Sequence, residues 1–231
     1  DDVDSLPHVL SPPLMESLQS FLPFGVSEDN FWMKFSLVRD GTSLRTLLQH
    51  VRGARHTIIA LETVDGEVFG SFTSMPWRKN WNYFGTGESF LWRMRQSRNT
   101  PRNSLLEQAQ LESELDVYPW TGSNSMVQFC THEKLAVGGG VPSEEILAEE
   151  ELNGKKAMYG FGLAIDNELL HGTSSSCDTF SSPPLSKTHS DGSPFEIVNL
   201  EVWTFTPCNS LEEAEKLELG MLFLETHAKP I

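Results

Sequence analysis

Cys177 and Asp178 follow His171 closely, the tightest grouping of thiol, carboxyl and imidazole in the chain. A thiolate nucleophile needs an adjacent base or a helix N-terminus to lower its pKa, and spacing alone supplies neither. An ordinary structural or surface cysteine is therefore expected at 177, with a reactive thiol as the alternative. Cys130 lies in a strand-like pattern and Cys208 follows Pro207, each without an activating neighbour in sequence. Glu88, Asp166 and Glu201 are acids set among apolar, strand-like residues. A Glu88/Glu201 pair could serve hydrolysis as acid and base. Yet a carboxylate between Leu200 and Val202 needs hydrogen-bond partners merely to be buried, such as backbone amides or Arg39, Arg45 or Arg93.

Gly138, Gly139 and Gly140 resemble a phosphate cradle only superficially, because acids follow where Lys-Ser or Lys-Thr is needed. A turn demanding positive φ or close backbone approach is expected, and the same reading holds for Gly85, Gly87, Gly122, Gly160 and Gly162. The seven histidines are scattered, the three cysteines lie far apart, and there is no D-x-D-x-D-G loop, so neither metal nor cofactor is expected. Most of the six tryptophans are expected in core or rim, and Trp77, Trp81 and Trp120, which fall in loop-like sequence, are the candidates to face a partner.

The elements that must position these residues read mainly as strands. Met33, Phe35 and Leu37 alternate with Lys34 and Ser36; Thr57 to Val64 and Glu67 to Ser74 flank Asp65-Gly66, a hairpin turn pair. Further strands are expected at Ser89 to Arg95, Met126 to Thr131, Tyr159 to Ile165 and Phe195 to Thr206. A single sandwich core is predicted, holding Met33, Phe35, Leu61, Phe69, Phe72, Phe90, Val198, Leu200 and Val202, with the acidic insertions outside it as surface appendages. Helices are predicted after the caps Ser11 and Ser43, in Asn103 to Asp116, and for about three turns after Pro207, where Ser210 and Glu213 form a capping box. Ser143 to Glu151 reads as a solvated loop or a turn of helix.

The net charge of −15 is concentrated. Residues 103–116, 143–151 and 211–218 carry 13 of the 32 acids, and the remainder is close to neutral. That excess opposes a phosphate backbone, so no nucleic acid partner is expected. The apolar runs are too short for a spanning helix, and direct membrane insertion is not expected. At 231 residues the chain buries a full core without disulfides or metal, and a reducing intracellular compartment is expected. It starts at Asp1, with neither a Met nor a charged-then-apolar leader, as expected for an excerpt of a longer protein.

The blocks Asp40 to Leu44, Asp65 to Phe72 with Gly70, Gly85 to Leu91 with Gly87 and Glu88, Trp120 to Asn124 with Gly122, and Gly138 to Gly140 stand in a characteristic order. They continue with Phe161 to Asp166 including Gly162, then His171-Gly172, Cys177 to Phe180 including Thr179, Pro184 to Ser186, and Leu200 to Trp203 including Glu201. From about Leu10 to Phe205 this resembles the TLDc domain family. The resemblance implies a mainly β, α+β fold: a two-sheet antiparallel β-sandwich with short flanking helices, in a eukaryotic intracellular protein. It further implies a non-enzymatic interaction domain linked to oxidative-stress resistance that binds the peripheral (V1) sector of the vacuolar proton-pumping ATPase and modulates its assembly or activity. On that reading the protein is cytoplasmic, monomeric on its own, and recruited to vacuolar, lysosomal or other endomembranes through the pump. The alternative is a redox-active or hydrolytic enzyme using Cys177 or the Glu88/Glu201 pair.

The sequence departs from the family pattern at about 96–117 and 141–158, where acidic insertions intervene, and after Pro207. The expected organisation is thus a TLDc domain over 1–207 and an acidic helical extension over 208–231. Leu217, Met221, Leu222 and Leu224 of that helix must be covered, either by the domain itself or by a groove of the pump.

Overall fold

The computed structural model describes residues 8–140 and 159–227. Five helices and eleven strands follow one another in these segments: α1 (Pro12–Gln19), β1 (Asn30–Ser36), α2 (Leu37–Asp40), α3 (Leu44–His50), β2 (Thr57–Thr63), β3 (Val68–Thr73), β4 (Asn80–Phe84), β5 (Phe90–Met94), α4 (Leu105–Ser113), β6 (Leu115–Pro119), β7 (Gln128–Cys130), β8 (Lys134–Val137), β9 (Leu163–Asp166), β10 (His171–Thr173), β11 (Phe195–Thr206) and α5 (Leu211–His227). The fold is mostly β, with antiparallel pairing and flanking helices.

The twelve-residue β11 organises both layers. Its start pairs with β10 through Phe195 and Glu196, its middle with β2, and its end with β1, where Asn30 opposes Thr206. One layer therefore runs β6-β5-β3-β2-β11-β1 and the other β4-β7-β8-β9-β10-β11. β2 shows why the first layer is buried on both sides. Ile59 and Leu61 join Phe35, Phe69, Leu91, Leu200 and Val202 in a cluster shared with Phe84, Cys130, Leu135, Leu163 and Ile165 of the second layer. Ile58 and Ala60 point the other way, packing with Phe72, Trp92 and Trp203 beneath Leu14 and Leu18 of α1 and Leu111 of α4. Each such leucine stabilises the fold by about 1.5–3 kcal/mol. Gly66, at φ +72°, turns the β2–β3 hairpin.

Five expectations need correction. The predicted core residues divide between two clusters because the first layer is covered on both faces: Phe35, Leu61, Phe69, Leu200 and Val202 lie between the layers, whereas Met33, Phe72 and Phe90 pack on the outer side. Val198 is 53% exposed, because β11 carries an extra residue between Ile197 and Asn199 relative to β2 and this bulge turns Val198 outward. Asn103 to Asp116 does not lie outside the core: Leu111 and Glu112 of α4 are buried, and the segment supplies the start of β6. Trp77 is buried, its Nε1 donating to Thr57 Oγ1 at 3.1 Å, so it does not face a partner. α5 has 17 residues, longer than three turns. The Ser143 to Glu151 segment lies outside the described residues.

Local capping follows the sequence in part. Ser43 accepts from Thr46 N and Ser104 from Glu107 N, whereas Ser11 spends its hydroxyl on Glu112 Oε2 at 2.9 Å.

Candidate functional site

Four loops meet at one end of the sandwich: β4–β5 with Gly85, Gly87 and Glu88; β6–β7 with Trp120 to Asn124; the glycine triplet after β8; and Cys177 to Phe180. Thr179 ties three of them together. Its Oγ1 accepts from Gly139 N at 3.0 Å and has Asn124 Oδ1 at 2.9 Å, Gly139 O at 3.0 Å and Met126 O at 3.1 Å as acceptors for its single proton. Thr121 N donates to Thr179 O at 3.0 Å, and Ser123 Oγ to Asp178 O at 2.7 Å.

Trp120 sits on this frame. Its Nε1 donates to Asn124 O at 2.8 Å, and its ring covers Gly87, where any Cβ would collide with the indole. Gly122 lies beneath the far edge of the ring. Trp120 remains 39% exposed, and Thr121, Gly122, Ser123, Ser125, Gly87, Glu88 and Asp178 are exposed around it. Behind them the loops pack tightly. Gly138 adopts φ +82° against Cys177 Sγ, the phenol of Tyr83 donates to Gly138 O at 3.2 Å, and Gly140 faces Asp178. Burial, reinforced by Cys177, pushes the Tyr83 phenol well above its ordinary value. The result is a rigid inner frame bearing an exposed aromatic and several hydroxyls, a surface suited to recognition.

The remaining motif residues serve elsewhere. Gly70 lies against the Ile59 carbonyl and Trp92 in the first layer, Gly162 against Leu91 and Cys177, and Gly172 against Ala164 and Phe195. Asp166 accepts from Leu170 N at 3.1 Å and pairs with His171 Nδ1 at 3.2 Å. Glu201 and Trp203 hold the N-terminal segment on the opposite face of the first layer.

The structure does not bring the alternative catalytic groups together. His171 is exposed and turned to Asp166, while Cys177 is buried with its thiol on Gly139 O at 3.6 Å. Glu88 is exposed, while both oxygens of Glu201 are engaged by Val9 N, Leu10 N, His8 and Trp203. Burial pushes the Cys130 thiol up to about 12, against a weaker opposing effect of Lys79. Among the described residues no group of three or more His, Cys, Asp or Glu side chains could hold a metal.

α5 forms a second exposed feature. Ser210 Oγ caps it through Glu213 N at 3.3 Å, Ala214 is buried, and Lys34 Nζ meets both Glu218 oxygens at 2.6 and 2.7 Å. Leu217, Met221 and Leu222 line a groove of about 260 Å³ with Val26, Trp32 and Phe205, while Leu224 is exposed.

Sequence reasoning missed Arg98, which bonds Glu112 at 2.8 and 2.9 Å, Glu62 at 2.7 Å and Val9 O at 2.6 Å, binding α4, β2 and the N-terminal segment. It also missed the meeting of Thr121 and Ser123 with Asp178 and Thr179, for which no local pattern exists.

Comparison with known proteins agrees with this architecture. The model of the TLDc domain matches residues 4–206. Oxidation resistance protein 1 of Podospora anserina is 30% identical over 224 residues, which cover 84% of this chain and 59% of that protein. The Saccharomyces cerevisiae protein of the same name is 27% identical, covering 84% of this chain and 72% of its own length. Nuclear receptor coactivator 7 of Mus musculus is 29% identical over 83% of this chain, which spans only 16% of that protein. The TLDc match spans both β layers, the four loops around Trp120 and the Glu201–Trp203 block, and on that ground the chain belongs to the TLDc domain family.

Proposed function

We propose that this chain is a non-enzymatic regulatory domain of oxidative-stress resistance that binds the peripheral sector of the vacuolar proton-pumping ATPase and modulates its assembly or activity. Family membership and the relatives named oxidation resistance protein 1 support the first part of this reading. The observation that carries it is the Trp120 platform: an exposed indole held by Asn124 and Gly87 over a frame fixed by Thr179. Exposed tryptophans on rigid supports are the usual energetic centres of protein interfaces. Among the described residues no helix is long and apolar enough to cross a membrane. Recruitment to endomembranes through the pump is part of the same proposal.

Capture of the purified peripheral sector by the immobilised chain tests the reading. Trp120→Ala is expected to weaken capture at least about tenfold, the loss of about 1.4 kcal/mol or more typical of a central anchor. Gly87→Ala should do so to a similar degree by displacing the ring. Equal capture by the unaltered chain and both variants would remove Trp120 from the interface, and no capture by any of them would reject the pump as partner. Turnover of a peroxide or ester substrate lost on Cys177→Ala would instead establish an enzyme.

A further inference from the structure

α5 has an unusual distribution of attachments. Of its residues with described side chains, Ala214 is the one that is fully buried, and Glu218 is drawn inward by Lys34. That ion pair is well built: the side chains are 11% and 22% exposed, both carboxylate oxygens are bonded, and Lys34 Nζ lies 4.0 Å from the Trp32 ring centre. The apolar contact beside it is incomplete. The groove of about 260 Å³ remains between α5 and the wall formed by Val26, Trp32, Ala54, His56 and Phe205. Meanwhile Leu217, Leu219, Met221 and Leu224 are 42–68% exposed, spread around the C-terminal half of the helix. A helix apolar on most of its circumference is stable in water only when covered on more than one side. Here the docked face is held chiefly by a polar clasp, and the apolar groups are left over.

We propose that α5 is a clasped docking helix, held to β1 by the Lys34–Glu218 pair, and that its partner presents an apolar groove rimmed by lysine or arginine side chains. The charge pattern commits the occupant. Glu212, Glu213 and Glu215 are exposed in the N-terminal half, and Lys216 is spent on Glu212 at 2.7 Å. Separating Glu218 from Lys34 returns its carboxylate to water, where a cation on a partner can pair with it again. A basic rim supplies that cation and complements the acids of the N-terminal half, while apolar walls cover Leu219 and Leu224, the exposed leucines that do not line the groove. A second copy of this helix would set acid against acid. This proposal rests on reading the chain as an interaction domain, but not on the pump being the partner.

The clasp is tested in the isolated chain by amide hydrogen exchange. Glu218→Gln, on the outer element, should raise exchange across α5 by about tenfold or more while β2 and β3 keep their protection. The exchanged pair Lys34→Glu with Glu218→Lys should restore α5. Unchanged α5 exchange in Glu218→Gln overturns the clasp. Partner chemistry is read with two synthetic helical peptides of equal length, Leu/Lys and Leu/Glu. A Lys34→Gln chain, which opens the clasp and keeps the Glu218 carboxylate, should bind the Leu/Lys peptide more tightly than the unaltered chain does, by the factor of clasp opening. Leu219→Asp with Leu224→Asp should abolish that binding. Equal affinity for the two peptides, or dimerisation of Glu218→Gln at micromolar concentration, overturns the assigned occupant. Should the Leu/Lys preference hold while the purified peripheral sector fails to bind any variant, the pump reading falls and the clasp stands.

Discussion

Trp203 Nε1 donates to Glu201 Oε2 at 2.9 Å across one face of β11. The same carboxylate accepts Val9 N at 2.9 Å and Leu10 N at 3.1 Å, with His8 Nδ1 at 3.3 Å. Two residues at strand spacing thus anchor a segment about 190 positions away in sequence, laying it over the outer apolar layer ahead of α1. An acid between apolar neighbours is here a tether rather than a catalyst.

Glu201→Gln should destabilise the domain by about 1–3 kcal/mol, because an amide presents a second donor to groups that already donate and leaves one unsatisfied. Urea unfolding followed by tryptophan fluorescence measures it. An unchanged midpoint would mean that the N-terminal segment is held by packing alone.

Arg98→Ala should cost about 3–5 kcal/mol, since it strands the buried Glu112 carboxylate and releases Glu62 and Val9 O at the same time. Deleting 103–116 should likewise lower the melting temperature strongly, because Leu111 and the first residues of β6 go with it. A transition shifted by only a few degrees in either case would return α4 to the role of a surface appendage.

Thiol titration with a disulfide reagent at neutral pH should find Cys208 first. It is partly exposed, whereas Cys130 and Cys177 are buried and the Cys130 thiol stays protonated far above neutral pH. Cys130 and Cys177 are expected to react only as fast as the domain unfolds. Rapid labelling of Cys177 in the folded chain would reopen the redox reading.

His56 gives the expected pH dependence. Burial, reinforced by Arg55, holds its pKa below the ordinary 6.5 against the weaker pull of Glu88 and Asp29. The folded state therefore favours the neutral ring, and protonation favours the unfolded chain. Stability from this group is complete above pH 6.5 and is lost as pH falls from 6.5 through the folded value. His56→Gln should flatten the unfolding free energy over that window, measured by denaturant titration at several pH values. Parallel slopes for the two chains would exclude His56 as the source.

Periodicity located β2, β3, β5 and β11 and the Asp65-Gly66 hairpin, because alternation and turn chemistry are local properties carried by neighbouring residues. The order of the motif blocks also carried the family, later matched over residues 4–206. The core assignment failed at Val198 for a reason outside any window: a bulge exists only relative to the partner strand β2. Asn103 to Asp116 read as an appendage because its acids dominate its composition, yet Glu112 is neutralised by Arg98, whose partners come from α4, β2 and the residues before α1. The candidate surface divides in the same way. Trp120, Gly87 and Thr179 were legible one by one as motif residues, but their assembly depends on a ring contact between residues 33 positions apart and on hydrogen bonds between loops 40 to 58 positions apart along the chain. Residue type fixes what each group can donate, accept or bury; only the folded backbone decides which groups meet, because loop closure brings together side chains that no local periodicity relates.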